Sequence, residues 1–259
     1  MTKPMLEGKV ATVTGSGRGL GKTLALALAE AGANMVVAAR TAEEIEKTAS
    51  EIEKLGRKAI AVPTDVANSD EVQELVDRGI KEFGKIDIWC NNAGTFAGKP
   101  LLDLTEDDWY RVVNVNLTSM FLCSQAVGKH MIKQKSGRII NISSIRGVLG
   151  ASPNLGLYCI TKAAIIQFTK CLALEWLPYN IRVNAIMAGN LNTPLTAMFM
   201  ADEQIKRALL ATIPIGRLTE PKEIGRLAVY LASDDSDCAT GEAIVLDGGV
   251  LARHSAAII

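Results

Sequence analysis

The sequence predicts an α/β protein, a three-layer doubly wound fold in which helices cover both faces of a parallel sheet of about seven strands. Short apolar runs rich in β-branched residues alternate with helical stretches along the chain. Glycines follow several of the helical stretches, and polar residues follow several of the apolar runs. The 259 residues, 48% of them apolar, contain no repeat, low-complexity stretch or linker, so residues 1–259 are predicted to form a single domain.

The first strand and helix enclose a glycine-rich turn. A strand at residues 9–14 runs into the sequence TGSGRGLG, and an Ala- and Leu-rich helix then extends to Ala31, with Gly32 as its stop. Glycines let the backbone approach a phosphate closely, and the helix N-terminus carries partial positive charge. The turn therefore predicts a site for the phosphates of a dinucleotide. Its predicted cofactor-binding residues are Gly15, Ser16, Arg18, Gly19, Leu20 and Gly21.

A second phosphate-binding pattern overlaps this turn. Gly21, Lys22 and Thr23 match the end of the GxxxxGK-Ser/Thr loop of nucleotide triphosphatases. The first glycine of that loop would fall on Ser16, and Gly15 lies one position too early. A kinase or ATPase remains the alternative, and it predicts magnesium-dependent ATP binding that calorimetry would detect.

The end of the second strand bears on the choice of cofactor. A carboxylate after this strand would bind the adenosine ribose 2′-hydroxyl of NAD, but after residues 34–38 this chain has Ala39 and then Arg40. Arg40 and Arg18 would together suit a 2′-phosphate. The sequence therefore favours NADP(H) over NAD(H); the alternative is that both arginines are merely solvated.

Alternation continues through the middle of the chain. An amphipathic helix at residues 43–55 is predicted to bury Ile45, Ala49, Ile52 and Leu55. Strands follow at residues 59–62 and 86–89, with an Asn68–Glu71 capping box between them. Carboxyl ends of parallel strands meet at one edge of a sheet, where ligands bind. The predicted cofactor contacts after these strands are Asp65, Val66, Asn92, Ala93 and Gly94.

Another helix and strand lead towards the predicted catalytic residues. Thr105 and Asp108 resemble an N-cap for one long helix that passes through Asn116 to about residue 134. A strand at residues 138–142 then precedes Ser144, and residues 145–157 are irregular.

Tyr158 and Lys162 stand four residues apart in the helix that follows. On a helix both side chains project from one face. At ~4 Å and an effective dielectric of ~20, the ammonium would favour the phenolate by roughly 4 kcal/mol. That corresponds to about three pKa units, which would bring the tyrosine towards ~7 and make it a general acid/base. The alternative is a half-buried tyrosine beside a solvated lysine.

The last third of the chain supplies strands at residues 182–186 and 243–246 and a helix from Pro221. A substrate lid is predicted at about residues 188–212. Its stretch from 195 to 210 is rich in Met and Leu, which favours a partly hydrophobic substrate or a cover for the core. The apolar tail, 256–259, is predicted to pack on its own domain or on another subunit. The apolar lid residues are Met198, Phe199, Met200, Leu209 and Leu210.

Composition narrows the class of protein. The 28 basic and 28 acidic residues give a net charge of +0 without a basic block, so neither nucleic acid nor a membrane surface is a predicted partner. We expect no signal peptide and no apolar run of the ~18 residues that span a membrane. The five cysteines predict reduced, mostly buried thiols in the cytoplasm. Two histidines without ligand-spaced companions predict no metal site.

These motifs together resemble the short-chain dehydrogenase/reductase family in its single-domain form, including its 3-oxoacyl reductases and its sugar and gluconate dehydrogenases. The resemblance extends from residue 8 to residue 249 and implies a Rossmann fold with one dinucleotide-binding and catalytic domain. The matching residues, in the order of the family, are Thr14, Gly15, Gly19, Leu20, Gly21, Asp65, Val66, Asn91, Asn92, Ala93, Gly94, Asn116, Ser144, Tyr158 and Lys162.

The resemblance implies a role for each catalytic residue. Tyr158 would donate the proton in carbonyl reduction and accept it in alcohol oxidation, and Ser144 would hydrogen-bond the substrate oxygen. Lys162 would hold the nicotinamide ribose and depress the pKa of the tyrosine. Asn116 would anchor a water that links Lys162 to solvent.

Three further expectations follow from comparison with the family. Thr193 would contact the nicotinamide amide. Ala188 stands where the family usually has proline, so we expect a slightly looser loop there. Relatives are commonly homotetramers, which implies the same assembly here.

The predicted function is NADP(H)-dependent hydride transfer to a small-molecule ketone or from a secondary alcohol, with a 3-oxoacyl thioester reductase as the first choice. A polyol, sugar or sugar-acid dehydrogenase is the alternative. Lys135 and Arg138 would contribute to docking an acyl carrier, but residues 177–180 offer no cation there. A non-catalytic dinucleotide-binding sensor is the alternative from another class.

Overall fold

The computed structural model describes residues 4–150, 154–193, 196–197 and 200–253. Seven parallel strands form one sheet, and their spatial order is β3-β2-β1-β4-β5-β6-β7. The order reverses between β1 and β4, which opens a crevice at the carboxyl ends of the strands. The strands are β1 (Val10–Thr14), β2 (Asn34–Ala39), β3 (Ala59–Pro63), β4 (Ile88–Asn91), β5 (Gly137–Ser144), β6 (Ile181–Ala188) and β7 (Ala243–Leu246).

Helices pack on both faces of this sheet, as predicted. They are α1 (Gly19–Glu30), α2 (Ala42–Lys54), α3 (Ser69–Phe83), α4 (Glu106–Val113), α5 (Ser119–Gln134), α6 (Gly156–Trp176), α7 (Glu203–Ala211) and α8 (Pro221–Ala232). One core joins the sheet to α1, α2 and α8. A second core joins the opposite face to α3, α5 and α6. The three-layer doubly wound fold is therefore confirmed.

Several predicted details of these elements are wrong. Strand β4 begins two residues later than predicted, at Ile88. Leu55 is 42% exposed because it follows the last residue of α2, where the chain turns away from the core. The Glu71 carboxylate accepts from the Asp65 amide at 2.6 Å. The Asn68 side chain still caps α3, so only half of the predicted capping box forms.

The single long helix predicted through Asn116 is interrupted. Thr105 and Asp108 form the capping box that opens α4, but the backbone changes to a π turn at Asn114–Thr118 before α5 begins. Turns of this kind occur often at functional sites. Asn116 lies in this turn and is buried.

Helix α6 is more apolar than the sequence analysis allowed. The stretch Gly156–Tyr179 is long and apolar enough to cross a membrane by length and composition, which contradicts the expectation that no such run exists. In the described structure α6 packs on β5 and β6 and carries the buried Lys162. One face of α6 is buried against the sheet, while Ile160 and Leu174 of the same helix are exposed.

The cysteines are reduced but not mostly buried. All five are free, and only Cys90 and Cys123 are buried, whereas Cys171 and Cys238 are exposed. Cys159 is partly buried beside Tyr158.

The predicted lid is described only in part. Ala188 belongs to β6 and pairs with Ser144 on one side and Leu246 on the other. These pairings fix its backbone, so residue 188 belongs to the sheet and not to the predicted lid, and the expected loosening there is wrong. Helix α7 buries none of its residues. Residues 194–195, Met198, Phe199 and the tail 256–259 lie outside the described residues.

Candidate active site

The glycine turn between β1 and α1 is too tight for a side chain at Gly15 and at Gly21. A Cβ on Gly21 would collide with the carbonyl oxygen of Gly15. Gly15 has a φ of +67°, and a Cβ there would lie 3.0 Å from the Ala93 Cα. The turn therefore presents bare backbone at the carboxyl end of β1.

Two polar residues hold this turn against β4. The Thr14 hydroxyl accepts hydrogen bonds from the backbone amides of Asn92 and Ala93, at 3.0 and 3.1 Å. The Asn92 side-chain amide donates to the carbonyl oxygens of Thr14 and Gly15, at 2.8 and 3.3 Å. Asn92, predicted to contact the cofactor, thus shapes the turn that would receive it.

The turn fits a dinucleotide. Helix α1 has no side-chain cap and no acidic residue in its first turn, so its N-terminal amides remain available to a phosphate. Arg18 and Arg40 are both exposed nearby. Lys22 does not point into a phosphate loop, because its ammonium pairs with Glu51 of α2 at 2.8 Å. The lysine that a nucleotide triphosphatase would direct at the phosphates is therefore paired elsewhere, which weighs against that alternative.

The other predicted cofactor residues lie at the same edge of the sheet. Asp65 follows β3, and its carboxylate accepts from the Ala67 amide at 3.0 Å, while Val66 is buried. Thr193 follows β6, and its amide donates to the Thr196 hydroxyl at 2.9 Å. A Cβ on Gly94 would lie 3.8 Å from the Lys162 ammonium nitrogen. The segment after β4 therefore reaches the catalytic helix.

Lys162 is fixed between α6 and β5 by two hydrogen bonds. Its ammonium donates to the Ile142 carbonyl oxygen at 2.8 Å, and its own carbonyl accepts from the Ser143 hydroxyl at 2.8 Å. The residue is 5% exposed, and burial lowers the pKa of Lys162 to about 8. Lys162 is therefore buried, and the alternative of a solvated lysine beside Tyr158 is wrong.

Tyr158 lies close to both Ser144 and Lys162. The Ser144 hydroxyl lies near enough to the phenol to lower its pKa. The Lys162 nitrogen lies over the tyrosine ring, 5.5 Å from its centroid. The three predicted side chains therefore converge where β5 ends and α6 begins.

The prediction that Lys162 lowers the pKa of Tyr158 towards ~7 is wrong. Burial is the largest influence and raises the pKa of Tyr158, while Ser144 and Arg146 act in the opposite direction. The ammonium lies over the ring and bonds to Ile142, and it loses part of its charge near pH 8. The phenol is therefore held in its neutral form, which is the form that donates a proton.

This correction predicts a measurable titration. Tyr158 should ionise above its ordinary pKa of about 10, since its folded pKa is raised. The difference in tyrosinate absorbance between the native protein and Tyr158→Phe should isolate one phenol that titrates above about pH 10. Ionisation of that phenol near neutrality in the cofactor-free protein would contradict the structure.

Asn116 connects the π turn to the catalytic helix. Its side-chain oxygen accepts from the Thr95 amide at 2.7 Å, and its side-chain nitrogen donates to the Thr95 carbonyl at 2.9 Å and to the Thr161 hydroxyl at 3.0 Å. Thr161 donates in turn to the Tyr158 carbonyl at 2.8 Å. Asn116 thus connects the segment after β4 to the backbone around Tyr158.

Sequence analysis missed Thr95, Thr161 and Ser143, which hold the predicted residues in place. Each is adjacent to a motif residue: Thr95 follows Gly94, and Ser143 precedes Ser144. The Thr95 backbone and the Thr161 hydroxyl bond to the Asn116 side chain, and the Ser143 hydroxyl bonds to the Lys162 carbonyl. These partners lie far apart in the chain, so adjacency to a motif was the only available signal.

Comparison with known proteins identifies the family. A family model described as enoyl-(acyl carrier protein) reductase matches residues 15–251. The chain is 41% identical over 249 residues to 2-dehydro-3-deoxy-D-gluconate 5-dehydrogenase of Escherichia coli, covering 96% of this chain and 97% of that one. It is 37% identical over 246 residues to 3-oxoacyl-(acyl-carrier-protein) reductase FabG of Thermotoga maritima, covering 95% and 99%.

A solved structure agrees with this assignment. The gluconate 5-dehydrogenase of Burkholderia cenocepacia, in complex with NADP and tartrate, superposes with a TM-score of 0.92 at 36% identity and covers 97% of this chain and 98% of its own. The chain belongs to the short-chain dehydrogenase/reductase family, as its motifs indicated. It is therefore an oxidoreductase that uses a nicotinamide dinucleotide.

Proposed function

We propose that this protein interconverts a small-molecule ketone and a secondary alcohol with NADP(H), and that Tyr158 is its general acid/base. The main support for this proposal is that Tyr158, Ser144 and Lys162 converge at the same edge of the sheet as the glycine turn. The nicotinamide supplies or accepts a hydride when bound. Hydride arrival gives the substrate oxygen alkoxide character, and the hydroxyls of Ser144 and Tyr158 stabilise that charge as it develops. Tyr158 then transfers its proton to this oxygen.

Lys162 and Asn116 support this chemistry. Lys162 holds the nicotinamide ribose, and its hydrogen bond to Ile142 keeps the ammonium beside Tyr158. Asn116 anchors a water that returns a proton through Lys162 to Tyr158. A non-catalytic sensor would not need Ser144, Tyr158 and Lys162 to converge. An enzyme is therefore the better interpretation of the site.

A freely diffusing ketone is the substrate that the surface favours. Arg138, one of two cations considered for docking an acyl carrier, is only 9% exposed and pairs with Asp237 at 3.1 Å. A buried, paired guanidinium is poorly placed to bind an acyl carrier protein. This observation weighs against a 3-oxoacyl thioester reductase that acts on a carrier-bound substrate. The relatives' names include both that activity and gluconate dehydrogenation, so a polyol, sugar or sugar-acid dehydrogenase is the second candidate.

A substrate screen tests the proposed function. Ketones, keto-acids, sugars, polyols and a 3-oxoacyl thioester would be supplied with NADPH or NADP⁺, and nicotinamide absorbance would be followed. Turnover of a ketone or secondary alcohol that disappears in Tyr158→Phe is the expected result. Tight dinucleotide binding without turnover of any of these classes would favour the non-catalytic sensor.

Arg40 provides the test of the cofactor. We expect Arg40→Asp to reverse or abolish the preference for NADPH over NADH, by about tenfold or more in the ratio of kcat/KM values, because a carboxylate would repel the 2′-phosphate. Arg78→Asp, on the exposed face of α3, is the matched control and should leave the ratio unchanged. An unaltered ratio in Arg40→Asp would remove the NADP(H) assignment.

We also propose a cytoplasmic homotetramer. Large apolar side chains are exposed on three neighbouring helices of one layer, which favours their burial against other copies of the chain. Free cysteines suit a reducing compartment. Size-exclusion chromatography with light scattering should give four times the 27.7 kDa chain mass, and a monomer would contradict the proposal. The exposed apolar residues are Trp109, Tyr110, Phe121, Ile160 and Leu174.

A further inference from the structure

Helix α2 is joined directly to the glycine turn. The hydroxyl of the fully buried Thr48 lies 3.1 Å from the carbonyl oxygen of Ser16 in the turn and 3.1 Å from that of Glu44, one helical turn earlier. The Lys22–Glu51 ion pair joins α1 to the same helix. The first turn of α2 is therefore held at a fixed position against the turn.

This attachment places the Glu44 carboxylate directly over the turn. A Cβ on Gly17 would lie 2.8 Å from both the Cβ and Oε2 of Glu44. Glu44 Oε1 is 3.5 Å from Nη1 of Arg18. Arg18 is one of the two cations assigned to the 2′-phosphate. The Glu44 carboxylate therefore pairs with the same guanidinium that the phosphate would use.

We propose that Glu44 is a specificity-determining residue that weakens NADP(H) binding relative to NAD(H) by competing with the 2′-phosphate for Arg18. The inference rests on the proposed use of Arg18 and Arg40 for that phosphate. Glu43 and Glu44 both lie in the first turn of α2, where a carboxylate interacts favourably with the helix dipole. Of these two acids, only Glu44 contacts Arg18.

The direction of the effect follows from charge and exposure. The Arg18 side chain is 85% exposed and Glu44 35% exposed, so their single contact stabilises the free protein little. A 2′-phosphate near Arg18 adds negative charge beside the Glu44 carboxylate, and the two repel each other. NAD(H) carries a hydroxyl at this position and avoids that repulsion. Arg40 has no carboxylate partner among the described residues and keeps its full attraction for the phosphate.

Cofactor binding to the full-length protein tests this inference without a substrate. Dissociation constants for NADPH and NADH would be measured by nicotinamide fluorescence in the native protein, Glu44→Gln and Glu43→Gln. We expect Glu44→Gln to tighten NADPH binding by about threefold to tenfold and to leave NADH within about twofold. Glu43→Gln removes the same charge from the same helical turn and should change the NADPH/NADH ratio by less than about twofold.

A double-mutant comparison shows whether Arg18 mediates the effect. In an Arg18→Ala background the gain from Glu44→Gln should shrink to less than half on a logarithmic scale, and an undiminished gain would overturn the competition for Arg18. Weaker or unchanged NADPH binding in Glu44→Gln would also overturn it, because Glu44 would then orient Arg18 instead. Glu44→Ala serves as the second variant if Glu44→Gln does not fold.

The outcome is separable from that of the proposed function. If the native protein prefers NADH yet Glu44→Gln still selectively tightens NADPH, the NADP(H) assignment fails and the role of Glu44 stands. If the native protein prefers NADPH and Glu44→Gln leaves the ratio unchanged, the role of Glu44 fails and the assignment stands.

Discussion

Replacing Tyr158 with phenylalanine is expected to lower turnover by about a thousandfold or more while leaving NADPH affinity within about twofold. The substitution removes one hydroxyl from a ring that is already partly buried, so the fold has little reason to change. In the proposed mechanism that hydroxyl supplies both the proton and one of two hydrogen bonds to the developing alkoxide. The helix backbone stays in place, because Thr161 bonds to the Tyr158 carbonyl and not to the phenol.

Single-turnover kinetics and NADPH titrations of the same preparation would separate the two effects. Tyr179→Phe is the matched control, since this partly exposed tyrosine follows α6 at its far end and should retain native turnover. A Tyr158→Phe variant that keeps more than about a tenth of native turnover would exclude Tyr158 as the principal acid. A large loss of NADPH affinity would instead indicate that the phenol mainly holds the cofactor.

Sequence patterns located the site because its parts follow strands. Gly15, Asn92 and Ser144 each lie at or just beyond the carboxyl end of a strand, and parallel pairing brings these ends to one edge. The spacing of Tyr158 and Lys162 likewise predicted a shared helix face, which is observed in α6. Periodicity and the alternation of strands and helices therefore predicted the architecture.

The electrostatics of the site depended on packing that the sequence does not display. The sequence-based pKa prediction places the Lys162 charge ~4 Å from the phenol in a medium of dielectric ~20. The folded chain instead buries the lysine, directs its ammonium to the Ile142 carbonyl and places it over the ring. Desolvation consequently decides the pKa of both residues, and no local pattern predicts it.

Local sequence patterns also do not show where a helix is interrupted or which distant residues a side chain bonds. The π turn around Asn116 depends on its hydrogen bonds to Thr95 and Thr161, which are 21 and 45 residues away in sequence. Local propensity gave one continuous helix because it contains no long-range term. Leu55 was misplaced for a related reason, since one residue of error at a helix end moves a side chain from core to solvent.

Lys162→Met is expected to combine a collapse of activity with an altered pH dependence of stability. Turnover should fall by about a hundredfold or more, because the variant loses the ammonium that we propose holds the nicotinamide ribose and supplies protons to Tyr158. The pKa of Lys162 is lowered from 10.5 to about 8 by burial, so the unfolded chain binds this proton more tightly than the native one. Protonation therefore favours unfolding, and the native protein gains stability as pH rises from about 8 towards 10.5.

The free energy of unfolding, measured with urea at about pH 6.5 and about pH 9.5, would detect this contribution. The native protein should gain about 2 kcal/mol from this one group over that interval, relative to Lys162→Met, which has no proton to release. Lys170→Met, an exposed position on the same helix, should retain the native pH dependence. Equal pH dependence in the native protein and Lys162→Met would mean that the buried ammonium is stabilised as fully as in water, contrary to its single hydrogen bond with Ile142.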